Sequence, residues 1–201
     1  MSRTFVTGVA VLAVGAWLSA VAPAVAADGK PKPRLTSEVV DVLAKTDHVG
    51  LLDPDPTARA RTAQRIGELA DPAKVVEVVT EILDGKTQFT HLAYANSAIQ
   101  AIGHCAVANK TTPAAVDSLY EVLRRVMFKP VVQLDSGDPK DARARLLRFG
   151  ALNSIDTMVK GGVVPNGVAE DLKKLHADSS LPADVRDTIA RLLGAIALQK
   201  R

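Results

Sequence analysis

Apolar side chains recur along this chain every three or four residues, the spacing that puts them on one face of a helix. Val75, Val76, Val79, Ile82 and Leu83 form one such stripe, and Leu92, Ala95, Ile99 and Ile102 a second. Val116, Leu119, Tyr120, Leu123 and Val126 form a third. Val168, Leu172 and Leu175 are followed by Val185, Ile189, Leu192, Leu193 and Ile196. No segment alternates at the period of two that a half-buried strand requires. The pattern predicts an all-α chain.

Helix boundaries are marked as clearly as the stripes. Asp55-Pro56, Asp71-Pro72, Thr112-Pro113 and Asp138-Pro139 each place a side-chain acceptor before a proline. Such a residue accepts the free amides of the first turn, and proline loses nothing at the first helical position. These signals predict helices over about 56–69, from 72 to near Gly85, over 91–106, over 113–127 and over 139–158. Gly161-Gly162 ends the longest, Pro165 begins a weaker one, and Ser180-Leu181-Pro182 opens the last. Ahead of them, Val39, Val40 and Leu43 suggest a short helix capped by Thr36 or Ser37, with Lys45 and His48 near its end.

Composition supports helices packed on helices. Of 201 residues, 47% are apolar but only 3% aromatic, so Ala, Val, Leu and Ile fill the core. The 25 basic and 22 acidic side chains are interspersed, without the clustered basic stripe expected of a nucleic-acid binder. Cys105 is the single cysteine, which excludes an intrachain disulfide.

The start of the chain reads as an export signal over 1–26: a basic Arg3, an apolar run from Phe5 to Leu18, and Pro23-Ala24-Val25-Ala26 before the cut. The competing reading is an uncleaved anchor, because the apolar run reaching Ala27 is just long enough to span a bilayer. Residues 27–34 form a polar, proline-rich flexible leader, and 35–201 the domain. The expected location is periplasmic or secreted, with no membrane association once the signal is removed.

Aligned on a late glycine, four helices correspond: Arg59 to Gly67, Ala95 to Gly103, Ala142 to Gly150, and Arg186 to Gly194. Ile66, Ile102, Phe149 and Leu193 precede the glycines, which lie 36, 47 and 44 residues apart. This spacing is that of two-helix solenoid units. A capping Asp or Pro, an Arg, an Ala and a Leu/Ile-Gly together resemble HEAT repeats of the armadillo-type superfamily, across nearly all of Thr36–Leu198. The resemblance implies a right-handed α-solenoid of about four helix pairs, each burying its stripe against its neighbours. It also implies an inter-repeat ladder, with Arg59, Arg143 and Arg186 meeting acids such as Asp55, Asp141 and Asp184. The remaining arginines of the same helices, Arg61, Arg65, Arg145, Arg148 and Arg191, extend a basic ridge.

No reactive constellation emerges. His104 and Cys105 are adjacent, hence about 100° apart on a helix, which is poor for holding one metal or for a nucleophile pair. Cys105 therefore reads as a buried thiol. His48, His91, His104 and His176 show no ligand spacing, and no phosphate loop or nucleophile elbow is present. The pairs Glu77/Glu81 and Glu170/Asp171 read as solvated faces. Asn109-Lys110-Thr111 matches a glycosylation sequon. No metal, cofactor or catalytic residue is expected.

The expected function is that of a non-catalytic, exported scaffold for protein–protein interaction. Its partner would meet the concave face of the second helices, around Glu77, Glu81, Glu121, Arg124, Lys173 and Lys174. The loop carrying Phe128, Val132 and Leu134 is a second candidate, because function is often added to loops. The alternative is a HEAT-like enzyme or small-ligand binder with a pocket between repeats. Nothing in the sequence identifies the partner or the oligomeric state.

Overall fold

A computed structural model describes residues 51, 55–84, 92–130 and 140–199. All lie within the unit Pro33–Arg201. The expected signal, the leader, the short helix near Val39 and the loop residues Val132 and Leu134 lie outside the described residues. So do the side chain of Asp141 and the helix start at Asp138-Pro139.

Among the described residues there are seven α-helices and no strand: α1 Pro56–Leu69, α2 Pro72–Leu83, α3 Leu92–Ala108, α4 Pro113–Phe128, α5 Lys140–Lys160, α6 Val168–His176 and α7 Ala183–Gln199. The all-α expectation holds. The Asp-Pro starts work as their chemistry demands: Asp55 accepts from the Thr57 amide at 2.9 Å and Asp71 from the Ala73 amide at 2.8 Å. Thr112 departs from this, since its side chain makes no capping bond to α4. Helix α6 begins at Val168, three residues after Pro165, with Gly167 at φ 75° as its cap.

The α5 terminus is a Schellman motif. Val163 N–H reaches the Met158 carbonyl at 2.8 Å and Gly162 N–H the Val159 carbonyl at 3.0 Å. Gly162 supplies the left-handed turn this needs, at φ 79°.

The helices lie in two rows. The odd-numbered helices pack in chain order, α1 on α3, α3 on α5 and α5 on α7. The even-numbered helices flank them, with α2 on α4 and each against an odd neighbour. Helix α3 is central and contains no Asp, Glu, Lys or Arg. A helix apolar all round is stable only when surrounded. Accordingly Leu92, Tyr94, Ala95, Ala98, Ile99, Ala101, Ile102, Cys105 and Ala106 are all buried.

Two glycines set how closely the odd row packs. A Cβ on Gly67 would lie 2.5 Å from the Ala101 carbonyl oxygen and 2.7 Å from the Cys105 nitrogen. One on Gly103 would lie 2.7 Å from the Ser154 oxygen and 2.9 Å from its Cα. In both places one backbone rests on another. The Ser154 hydroxyl then ties the rows' centre, donating to Ile99 O at 2.8 Å while also within reach of Gly150 O at 3.1 Å. Gly150 adjoins the Asn96 side chain on α3, whereas Gly194, in the same sequence register, has nothing within 4 Å.

Candidate functional site

The residues expected to meet a partner come from the even helices, and the fold gathers Glu121, Arg124 and Lys174 around Asp171. Tyr120 and Arg124 lie one turn apart on α4. Across from them, α6 places Asp171 in line with the apolar residues Val168, Leu172 and Leu175. Tyr120 stands opposite Asp171, and Met127 and Leu175 line a common cavity together with Leu152, Val185 and Ile189.

Asp171 is 5% exposed. Its carboxylate accepts from Tyr120 Oη at 3.0 Å and from Arg124 Nε at 2.9 Å, with Lys174 Nζ 3.8 Å away. Arg124 also donates to Glu121 at 3.3 Å. Asp171 first, then Glu121, hold the Arg124 guanidinium above its ordinary pKa. Burial, reinforced by Asp171, pushes the Tyr120 hydroxyl upward. The reading of Glu170/Asp171 as one solvated face is therefore corrected: Glu170 is exposed, and Asp171 is inside. A buried carboxylate survives where charge-assisted hydrogen bonds replace its water.

The other expected contacts are dispersed. Glu77 pairs locally with Lys74 at 2.9 Å, Glu81 is half-buried on α2, and Lys173 is exposed on α6. Phe128, at the end of α4, is 38% exposed.

Arg–Asp pairs do join neighbouring helices within each row. Arg125 of α4 meets Asp84 at the end of α2, and Arg145 of α5 meets Asp184 of α7. Arg191 of α7 returns to Asp156 of α5 at 3.4 Å. Asp184 thus engages Arg145 of the preceding odd helix, while the Nε of Arg186 is buried without a hydrogen-bond partner. Asp55 is occupied as the α1 cap, and Arg59 N–H bonds its carbonyl at 3.1 Å. Arg143 lies half-buried on α5.

The remaining chemistry-bearing groups are structural in setting. Cys105 is fully buried, and burial raises its thiol pKa to about 11. Partial burial lowers that of His104, partly offset by Glu68. Among the described residues no group of three His, Cys, Asp or Glu could hold a metal ion. No described helix is long and apolar enough to cross a membrane. The Nδ2 of Asn109, the atom a glycan would take, donates to Cys105 O at 2.9 Å.

Compared with models of protein families, with curated proteins and with solved structures, the chain matches none.

Proposed function

We propose that this chain is an exported, non-catalytic HEAT-like repeat protein that holds a protein partner on its even-helix surface. In this reading the two rows are the first and second helices of a right-handed α-solenoid, and a signal peptide ending at Ala26 directs export. Supporting it is the Asp171 cluster. A surface meant for recognition benefits from side chains already fixed before binding, because ordering them costs affinity. Arg124, held by Asp171 on one side and Glu121 on the other, is such a side chain and remains 46% exposed.

The test is capture of partners from the exported fraction of the source organism, using the chain beginning at Ala27 as bait. Proteins retained by this chain and lost with Arg124→Glu support the proposal. Equal retention by both, or retention of none, speaks against it. The intact mass of the exported protein reports the cut: a species retaining residues 1–26 contradicts the cleaved signal.

A further inference from the structure

We infer that the cleft between the α3–α4 turn and the α5–α6 connection binds a small zwitterion, a molecule carrying one carboxylate and one ammonium on a short body. The cleft has a volume of about 270 Å³. Its lining includes polar Lys110, Asp117 and Asn166 and apolar Val116, Val163 and Pro165. The apolar three are buried, whereas Lys110 and Asn166 are exposed. Space for about nine water molecules is less than a drug-sized ligand needs and suits a molecule of amino-acid size.

The walls are held in place by the fold itself. Val163 is fixed by the closure of α5, through its bond to Met158 O at 2.8 Å. Asn166 Nδ2 donates to Asp117, 3.2 Å from one carboxylate oxygen and 3.4 Å from the other, and so ties the α5–α6 connection to α4. That bond leaves the Asn166 side-chain oxygen and further lone pairs of Asp117 free to accept. Lys110 brings a positive charge and three donors.

Opposite charges left open carry the argument. Lys110 and Asp117 line one cleft, yet neither makes an ion pair with the other or with any other described residue. Elsewhere in the fold such groups close on each other, as Arg145 does on Asp184, and Lys160 on Asp156 at 2.6 Å. A simple anion entering here would gain Lys110 but meet Asp117, and a simple cation the reverse. A ligand with both signs satisfies both groups at once. Each charge also suits its own helix, Lys110 just beyond the end of α3 and Asp117 near the start of α4. That role needs no cleft between them, and it would appear in stability and not in binding.

The experiment titrates the nitrogen-15-labelled chain beginning at Ala27 and follows its amide shifts by NMR. The probes are glycine, alanine, γ-aminobutyrate and glycylglycine at about pH 7, where each carries both charges. Acetate and ethylamine are the single-charge controls. Saturable shifts confined to residues around Lys110, Asp117 and Asn166 are expected, with one zwitterion bound about tenfold more tightly than either control. Tightest binding of glycine or alanine identifies a free α-amino acid. Tightest binding of γ-aminobutyrate or glycylglycine identifies a ligand with separated charges, and either result supports the site. Lys110→Gln and Asp117→Asn should each weaken binding about tenfold with unchanged melting temperatures. Should Asp117→Asn melt early, Lys110→Gln, at an exposed position, carries the test. Absence of saturable shifts up to about 20 mM overturns the inference. So do shifts scattered over the surface, equal binding of acetate or ethylamine, or unchanged affinity in Lys110→Gln. None of these results touches the capture experiment, because no residue of the cleft belongs to the Asp171 cluster.

Discussion

Gly103 and Ser154 meet backbone to backbone: a methyl group on the glycine would come within 2.7 Å of the serine carbonyl oxygen. Neither a rotamer change nor a smaller side chain at 154 can relieve that contact, because the obstructing atoms are main-chain. Gly103→Ala should therefore lower stability by about 1–3 kcal/mol. Adding Ser154→Gly should bring no recovery. Gly194→Ala gives the opposite sign, since nothing lies within 4 Å of its Cβ direction. Replacing a glycine inside α7 should add about 0.5–1 kcal/mol. Urea unfolding of the three variants checks both directions. Equal effects at Gly103 and Gly194 would contradict the packing described.

The Tyr120–Asp171 bond spans two helices, so its loss should be felt by both. Asp171→Asn removes the charge that Arg124 and Tyr120 share, and should cost about 1–3 kcal/mol. Tyr120→Phe should cost about 1 kcal/mol by leaving one carboxylate position unfilled. Because the two groups touch, the double variant should lose less than both singles together, with a coupling of about 0.5–2 kcal/mol. Strict additivity in a double-mutant cycle would mean that the bond is not made in solution.

Stability should decline on the alkaline side. The Cys105 thiol, raised by burial to about 11, and the buried Tyr94 and Tyr120 hydroxyls all hold their protons in the folded chain. In the unfolded chain they ionise from about pH 9 for the thiol and about pH 10 for the phenols. Above those values the unfolded state binds fewer protons than the folded one, so rising pH favours unfolding. Each group contributes at most about 1.4 kcal/mol per pH unit in that window. Tyr120→Phe should flatten the decline between about pH 10 and 11.5, measured by chemical denaturation at stepped pH. A stability constant up to pH 11.5 would place these side chains in water.

Much of the fold was written in the stripes and caps. Pro56–Leu69 and the start at Pro72 follow from two Asp-Pro pairs, and α3 declares its central place by lacking Asp, Glu, Lys and Arg. The site was less legible. Asp171 seemed to belong with exposed Glu170. Yet with Val168, Leu172 and Leu175 it completes a three-and-four spacing, so its place on the buried face could have been read. What no stripe reveals is which acid each arginine reaches. Asp184 engages Arg145, 39 residues earlier, and Asp84 engages Arg125, 41 residues later. Such partners depend on how neighbouring helices are rotated, which local pattern does not fix. The glycine register has the same limit: Gly67 and Gly103 seat a neighbouring backbone, and Gly194 seats nothing.

Asn109 offers the last test, because two roles for it separate cleanly. Its side-chain amide donates to Cys105 O at 2.9 Å and approaches Cys105 Sγ at 3.7 Å, closing the C-terminal end of α3. Asn109→Asp deletes the donor and places a negative charge beside carbonyls that already carry partial negative charge. It should lower stability by about 1–2 kcal/mol. Thr111→Ala destroys the sequon and leaves this bond alone, and Thr111 is exposed, so it should change stability by less than about 0.5 kcal/mol. A glycan at Asn109 would be lost in both variants, whereas the helix closure is lost only in the first. Mass spectrometry of protein from a glycosylating host, beside melting curves of the two variants, decides between them. An unmodified Asn109 and a stability loss confined to Asn109→Asp are the expected pair of results.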